Sequence, residues 1–390
     1  MTPTPLDDTP TIERHLIRTA SLTRTPVTGS IELLPLCNMN CDMCYVRLSP
    51  HEMEQKGRLR TADEWLLLGR QMRDAGVLFL LLTGGEPLLY PDFRQVYTGL
   101  KEMGMILTIN TNGTLLDEDW ADFFAQNKPR RINITLYGSD EAAYASLCHY
   151  PGGFEKTIKA IGLLRHRGVD VKVGGSLTKA NGDDVEKLVA LGEELDVPVR
   201  IDTYMMPATR EREKPYDMQS RLDPESAAAA RIKALRLEMG DAMFLSYAQT
   251  MIAQIDGFQG GEAVPGPMTC LAGSCSFTVN WQGELRPCVI LTQPAASVFD
   301  MGFEKAWKTV SQGVQTIRLN AKCSACALRP LCRTCAACAL LETGKYDGVP
   351  QYMCRYAEES LRLLRGQLEE MTASVDTEEA SPKGKEASHG

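Results

Sequence analysis

The feature that most limits the fold of this chain is a regular alternation of short apolar runs and helix-patterned segments between Ser30 and Tyr204. Apolar runs that end at turn residues are typical of buried parallel strands. Strands that alternate with helices require right-handed βα units and a parallel sheet. Six units rather than eight predict an α/β fold with an open, partial barrel. The predicted strands are 30–36, 77–82, 105–110, 131–137, 169–177 and 199–204.

The rest of the chain divides by pattern and composition. Residues 1–28 are a polar lead with one short predicted helix at 12–22, and residues 29–204 are the partial barrel. Residues 205–268 are a helical bridge, interrupted at Gly240, and residues 269–357 are a cysteine-rich extension. Residues 358–390 are expected to be a helix end and a disordered tail, because the stretch 371–390 is polar and charged.

Composition excludes several classes of protein. Of the 390 residues, 44% are apolar and 24% are charged, as in a globular protein, and the net charge of −8 argues against nucleic-acid binding. No apolar stretch is long enough to cross a membrane, and the amino terminus lacks the apolar core of a signal peptide. These features predict a cytoplasmic protein whose thirteen cysteines bind metal rather than form disulfides.

Cys37, Cys41 and Cys44 form a C-x3-C-x2-C triplet after the first predicted strand. Three thiolates so close together cannot all pair with one another, but they can hold three irons of a four-iron cube. The fourth iron then stays open to a substrate or a cofactor. A closed zinc site would need a fourth protein ligand, and none follows nearby. The alternative is three buried cysteines without a common ligand.

A second motif, Gly84-Gly85-Glu86-Pro87, ends the apolar run 78–83. Two glycines let a ligand approach the backbone closely. Glu86 offers a carboxylate to an ammonium group. The alternative for this motif alone is an ordinary turn between a strand and a helix.

The triplet, followed by a strand that ends in Gly-Gly-Glu-Pro, resembles the signature of the radical S-adenosylmethionine (SAM) superfamily. The resemblance implies a (β/α)6 partial barrel in which the open iron of a [4Fe-4S] cluster takes the amino and carboxylate groups of SAM. The reduced cluster then cleaves SAM to a 5′-deoxyadenosyl radical. Both motifs fall at the carboxyl ends of strands, where such barrels hold their catalytic groups. The resemblance also implies an oxygen-free setting and a reductant such as flavodoxin or ferredoxin.

Nine of the cysteines lie between residues 270 and 354, and their layout resembles the SPASM extension of radical SAM enzymes. That resemblance implies two auxiliary clusters, and therefore three [4Fe-4S] clusters in all. One auxiliary cluster takes Cys270, Cys275, Cys288 and Cys335. The other takes Cys323, Cys326, Cys332 and Cys354. The alternative for this region alone is a zinc ribbon built on C-x2-C pairs.

The cysteine-rich extension departs from the SPASM pattern after Cys332, where the pattern continues C-x3-C and this chain has Ala336. Either Cys335 or Cys338 must substitute, and we favour Cys335, with Cys338 as the spare cysteine. A predicted hairpin, 277–280 with 284–286, would bring Cys275 and Cys288 close together.

The resemblance also implies contacts with SAM. Gly84, Gly85 and Glu86 are expected to face its amino group, and Thr135 stands where relatives carry a serine that contacts SAM. Met43 replaces an aromatic residue that packs near the adenine. Asn110 and Asn112 are candidates for the pocket wall, although a turn is the favoured role of Asn112.

Five further residues lie near the expected site. Relatives carry an arginine that binds the SAM carboxylate at about the position of Cys148 and His149. In this chain we expect Cys148 to be buried as a small apolar residue and His149 to lie on the surface. Tyr137, Tyr204 and Asp202 lie near strand ends, and ordinary packing is the favoured role of each. No catalytic base or radical quencher is assigned.

The expected function is abstraction of hydrogen from a peptide or protein substrate. Formylglycine formation, as in sulfatase maturation, fits less well, because relatives place an acid after the cysteine equivalent to Cys288 and this chain has Val289-Ile290-Leu291-Thr292. Too few residues precede the barrel for a leader-binding domain, so a separate leader-binding protein is expected if the peptide has a leader. The alternatives are a radical dehydrogenase of small molecules or carbohydrates, an iron–sulfur electron carrier and a zinc-binding interaction protein.

Overall fold

The computed structural model describes residues 9–206, 210–212, 220–332 and 334–379. The first part of the chain follows the predicted alternation of strands and helices. Its strands are β1 (Thr28–Glu32), β2 (Phe79–Thr83), β3 (Ile106–Thr111), β4 (Arg131–Leu136), β5 (Val171–Ser176) and β6 (Val199–Asp202). Its helices are α1 (Thr11–Thr23), α2 (Pro50–Lys56), α3 (Ala62–Asp74), α4 (Phe93–Glu102), α5 (Glu118–Gln126), α6 (Glu141–Leu147), α7 (Gly153–His166) and α8 (Val185–Glu194).

The strands β1 to β6 pair in chain order, and every pair among them is parallel. Each helix that follows a strand returns the chain to the amino end of the next one, so the carboxyl ends all meet at one edge. Local sequence fixes the start of α3, because Thr61 caps this helix in a capping box with Glu64. The predicted α/β fold with six parallel strands is confirmed.

The two faces of this sheet differ. Along β3, β4 and β5, buried and half-buried residues alternate. The buried residues, such as Ile109 and Ile134, belong to one large apolar cluster together with residues of the covering helices, such as Leu100 and Leu164. The half-buried residues, such as Asn110, Asn133 and Thr135, are polar and lie on the opposite face. A polar inner face with an apolar outer face is suited to holding a ligand.

The second part of the chain combines long helices with short strands. Its helices are α9 (Pro224–Met239), α10 (Asp241–Asp256), α11 (Val298–Met301), α12 (Phe303–Val314), α13 (Ala321–Ser324), α14 (Ala336–Thr343) and α15 (Gln351–Glu379). Its strands are β7 (Gly266–Pro267), β8 (Ser276–Val279), β9 (Glu284–Arg286), β10 (Ala296–Ser297) and β11 (Arg318–Leu319). The predicted interruption of the bridge helix is confirmed, because Gly240 has φ +71° between α9 and α10.

The cysteine-rich extension joins the sheet of the barrel. The predicted hairpin forms from β8 and β9, and β8 pairs in parallel with the free edge of β1. The sheet therefore has nine strands in the described residues, in the order β10-β9-β8-β1-β2-β3-β4-β5-β6. The sequence did not reveal this pairing, because a contact between residues 28–31 and 276–279 leaves no local pattern.

The carboxyl-terminal prediction is partly wrong. Helix α15 continues through Glu379, so residues 371–379 are helical rather than disordered. Residues 380–390 lie outside the described part of the chain, as do residues 1–8 of the polar lead. The apolar side of α15, including Leu364, packs in a second cluster with Leu235 of α9 and Phe244 of α10. A partner surface of this kind stabilises a helix whose own sequence is highly charged.

Candidate active site

The three cysteines of the triplet lie in the loop that follows β1. The loop is folded on itself: the Cys44 amide donates to the carbonyl of Cys41 at 3.1 Å. Two backbone amides point at sulfur atoms, Met39 N at 3.4 Å from Cys37 Sγ and Arg47 N at 3.3 Å from Cys44 Sγ. Amides that donate to sulfur favour its charged form.

Electrostatic interaction shows that the three thiols are neighbours. The pKa of the Cys37 thiol is raised to about 12, mainly by burial, and the charges of Glu86, Cys44 and Cys41 contribute to this rise. A ligand that binds these sulfurs as thiolates must therefore displace protons that the protein holds firmly. The donor set, three neighbouring cysteines with amides on two sulfurs, fits an iron–sulfur cluster.

The Gly84-Gly85 turn packs directly on the loop that carries the triplet. The Gly85 amide donates to the carbonyl of Leu34 at 2.8 Å, and the Glu86 amide donates to that of Leu36 at 2.9 Å. A Cβ on Gly85 would lie 2.1 Å from the oxygen of Leu36. The sequence indicated that a ligand approaches these glycines, whereas the structure shows that the backbone of the cysteine loop does so.

The carboxylate of Glu86 is fully buried and makes three hydrogen bonds within the protein. One oxygen accepts from the Thr111 hydroxyl at 2.8 Å and from the Leu88 amide at 3.1 Å. The other accepts from the Asn112 amide at 2.8 Å. Burial raises the pKa of Glu86 to about 7. Glu86 therefore ties the end of β3 to the Gly-Gly turn, and its expected contact with an amino group stays a prediction.

Asn112, just beyond β3, reaches the triplet. Its side-chain amide nitrogen, Nδ2, lies 3.7 Å from the sulfur of Cys37 and 2.9 Å from the side-chain oxygen of Asn38. Its own oxygen accepts from the amide and the hydroxyl of Thr114 at 2.9 and 2.7 Å. The favoured turn role is thus present, and the contact with Cys37 is additional. The sequence signal was an asparagine at the carboxyl end of a strand, but this position alone does not identify a sulfur contact.

The remaining residues expected to contact SAM lie around the polar inner face. Asn110 accepts a hydrogen bond from Asn133 of the next strand at 2.8 Å, and Thr135 lies two positions further along that strand. Met43 packs against the large apolar cluster beside Cys44. The structure thus places these residues near the carboxyl edge of the sheet, and their contacts with SAM stay predictions.

A fourth cysteine packs against the triplet. Cys148 is fully buried, as predicted, and its thiol hydrogen-bonds with Cys41. This bond, together with burial, raises the pKa of Cys41, while the Tyr137 hydroxyl donates to the same sulfur and lowers it. His149 contacts Asp42 in the cysteine loop at 2.8 Å. The end of α6 therefore holds the loop in place, a role that the sequence did not reveal.

Four cysteines of the extension share one neighbourhood. Burial raises the pKa of Cys354, and the charges of Cys332, Cys323 and Cys326 raise it further. Burial also raises the pKa of Cys323, with further increases from Cys332 and Cys326. This is the set that the resemblance gives to one auxiliary cluster, and a group of four thiols suits a four-iron cluster.

The other auxiliary set is only partly assembled. Burial raises the pKa of Cys288, and the charges of Cys335 and Cys270 raise it further, which makes these three thiols neighbours. Cys275 lies elsewhere, in an apolar cluster with Ala20 and Val27. In the described ranges, no three His, Cys, Asp or Glu side chains are grouped as ligands of a single metal ion.

None of the helices in the described ranges combines the length and the apolar character needed to cross a membrane.

Comparisons with known proteins agree with this arrangement. Residues 31–192 match the family model described as the Radical SAM superfamily. An AdoMet-dependent heme synthase of Methanosarcina barkeri is 25% identical over 339 residues, which cover 84% of this chain and 95% of the relative. A PqqA peptide cyclase of Rhizobium meliloti is 21% identical over 335 residues, which cover 85% and 84%.

A solved structure shows the same fold. Streptococcus suis SuiB bound to precursor peptide SuiA aligns with a TM-score of 0.65 at 17% identity, over 91% of this chain and 84% of that one. The predicted partial barrel is therefore confirmed.

Proposed function

Since this chain carries a radical SAM domain and is an enzyme, we propose that it cleaves SAM reductively and abstracts hydrogen from a peptide or protein substrate. The observation that carries the proposal is the meeting of three thiols, the Gly84-Gly85 turn and the Asn112 amide at one edge of the sheet. This edge opens on the polar inner face of the barrel. When bound there, a four-iron cluster would supply the one electron needed to split SAM into methionine and a 5′-deoxyadenosyl radical.

In this proposal, residues of the chain bind and orient the cofactors. Cys37, Cys41 and Cys44 hold the cluster, and Gly84, Gly85, Asn110 and Thr135 line the SAM site with Met43 near the adenine. Glu86 keeps the Gly-Gly turn against β3, since its carboxylate accepts from Thr111 and Asn112 at the end of β3 and from Leu88 in the turn itself. Residues 29–204 carry this chemistry, and residues 269–357 hold two auxiliary clusters.

Similarity to the PqqA peptide cyclase over most of both chains supports a peptide substrate. The protein would work with a reductant such as flavodoxin or ferredoxin in the cytoplasm. A separate leader-binding protein would deliver the peptide if the peptide carries a leader.

A second candidate function is modification of a small molecule. The AdoMet-dependent heme synthase is more similar to this chain, at 25% identity, than the peptide cyclase, at 21%. Under this alternative the polar inner face would hold a heme precursor. Anaerobic incubation with SAM and either a heme precursor or a short peptide encoded beside the gene separates the two, because only the true substrate changes mass.

The test of the central proposal is anaerobic reconstitution with iron and sulfide. We expect roughly twelve irons per chain, from three four-iron clusters, and formation of 5′-deoxyadenosine from SAM. The triple variant Cys37→Ala, Cys41→Ala, Cys44→Ala should lose roughly four irons and all SAM cleavage. Cys148→Ala, a buried neighbour outside the triplet, is the control and should retain the irons. Cleavage of SAM by the triple variant would refute the proposal.

A further inference from the structure

Cys275 is separated from the cysteines with which the sequence groups it. Its side chain is fully buried in an apolar cluster with Ala20 of α1 and Val27, against which Phe79 also packs. Its carbonyl accepts from the amides of Val27 and Thr28 at 3.1 and 3.2 Å. Cys275 therefore lies at the amino end of β1, and its sulfur faces an apolar contact between α1 and the sheet.

Cys288 lies toward the other end of β1. The carbonyl of the next residue, Val289, accepts from Arg210 at 2.9 Å, and the same Arg210 nitrogen donates to Glu32 at 2.7 Å. Glu32 is the last residue of β1, a strand that spans roughly 13 Å from Thr28 at 3.3 Å per residue. The hairpin does not join Cys275 to Cys288, because its pairing covers only Thr278–Arg286 and Val279–Leu285.

Cys288, Cys335 and Cys270 share a different environment. Cys288 and Cys335 pack on one apolar cluster that includes Leu291, Val314 and Leu319. Leu319 belongs to β11, which pairs with β7, and Cys270 follows β7 by three residues. The charges of Cys270 and Cys335 both act on Cys288. Three thiols thus converge, and each comes from a different segment of the extension.

The thiol of Cys338 contacts the barrel rather than the other cysteines of the extension. Its sulfur lies 2.8 Å from the hydroxyl of Tyr204, just beyond β6, and its side chain is fully buried in the large apolar cluster with Met353 and Tyr356 of α15. Its backbone amide points to the Cys335 sulfur at 3.5 Å. Cys338 therefore supports Cys335 through the backbone, while its own thiol joins α14 to the barrel.

We infer that the first auxiliary cluster is held by three cysteines, Cys270, Cys288 and Cys335, and that its fourth iron is open to a non-cysteine ligand. This inference rests on the proposed function, which supplies the cluster. A three-thiolate site can bind a thiolate or a carboxylate of the substrate directly at iron, as the triplet can bind SAM. Cys275 and Cys338 then have packing roles.

The ligands of the first auxiliary cluster are tested in the full-length triple variant Cys37→Ala, Cys41→Ala, Cys44→Ala, which lacks the SAM cluster. One further cysteine is replaced at a time, and each protein is studied by iron analysis and low-temperature spin resonance. Adding Cys275→Ala or Cys338→Ala should leave the iron content and the spectrum unchanged. Adding Cys335→Ala should remove roughly four further irons, and Cys323→Ala is the matched control for the second auxiliary set. Loss of a cluster on Cys275→Ala or on Cys338→Ala in folded protein would overturn the inference.

If Cys275→Ala does not fold, a second experiment tests the inference without replacing any further buried residue. Cyanide added to the triple variant should change the spin-resonance signal of one auxiliary cluster, because an open iron accepts an external ligand. An unchanged signal would overturn the inference. A changed or an unchanged cyanide signal does not test the proposed function. That function is tested separately, by 5′-deoxyadenosine formation by the wild-type protein.

Discussion

The guanidinium of Arg210 donates two hydrogen bonds of 2.7 Å to the carboxylate of Glu32, and the exposed fractions of the two side chains are 2% and 1%. Arg210 also donates to the carbonyl of Val289 at 2.9 Å. The amide of the neighbouring Glu211 donates to the carbonyl of Tyr45 in the cysteine loop at 3.1 Å. The buried Arg210–Glu32 pair thus joins β1 to the extension, and the neighbouring Glu211 amide joins the same segment to the cysteine loop.

Replacing Arg210 should be strongly destabilising. Arg210→Leu leaves the Glu32 carboxylate buried without its partner, which costs about 3–5 kcal/mol of unfolding free energy. The double variant Arg210→Leu, Glu32→Leu should recover most of this loss, because no unpaired charge remains. Arg200→Leu removes an exposed pair with Asp202 and is the control, with an expected change of about 0–1 kcal/mol. Anaerobic urea unfolding measures all of them, and equal effects of Arg210→Leu and Arg200→Leu would contradict the prediction.

Gly85→Ala should damage the cysteine loop. The added Cβ would meet the Leu36 oxygen at 2.1 Å, so backbone must move in the segment that leads to Cys37. Overpacking of this kind costs about 1–3 kcal/mol, and we expect a reduced iron content as well. Gly162→Ala in α7 is the matched control, since its Cβ meets nothing within 4 Å and should stabilise the helix by about 0.5–1 kcal/mol. Full iron loading of Gly85→Ala would show that the loop tolerates the shift.

Glu86 should make stability depend on pH. Burial raises its pKa to about 7, whereas an unfolded glutamate titrates near about 4.3. The folded state holds the proton more tightly, so this stabilisation is complete below about pH 4.3 and is lost as the pH rises through about 7. Glu86→Gln cannot titrate. Across that window the wild-type unfolding free energy should fall relative to the variant by about 4 kcal/mol.

Urea unfolding at several pH values measures the difference between the two Glu86 profiles. Glu102→Gln, at an exposed position of α4, is the control and should follow the wild-type profile. Parallel profiles for wild type and Glu86→Gln would exclude a titrating buried carboxyl at this position.

Asn112→Ala should lower the reduction potential of the cluster bound at the triplet. The side-chain amide nitrogen of Asn112 lies 3.7 Å from Cys37 Sγ, and hydrogen bonds to the sulfurs are among the determinants of the reduction potential of a cluster. Removing a donor disfavours the added negative charge of the reduced state. Asn110→Ala is the control, because the Asn110 side chain bonds to Asn133. Redox titration followed by spin resonance should show a more negative midpoint for Asn112→Ala alone.

Much of the barrel was predictable because its signals are local. The apolar run of β2, the Thr61 cap of α3 and the break at Gly240 each depend on residues a few positions apart. Periodicity and capping report the backbone that such neighbours prefer, so the six βα units followed from them. The pairing of β8 with β1 and the helical state of residues 371–379 depend on distant partners, and composition was misleading for the latter.

The sequence alone determined which chemistry the chain can support. The reason is that each motif is local: Cys37, Cys41 and Cys44 lie within eight residues, and Gly84 and Gly85 are adjacent. Only the tertiary structure decided which distant side chains meet: Asn112 with Cys37, Arg210 with Glu32, and Cys335 with Cys288 rather than with Cys275. The physical reason is that ligand spacing is a property of a short backbone segment. The choice among equivalent thiols is made by burial and packing between segments, which no local pattern records.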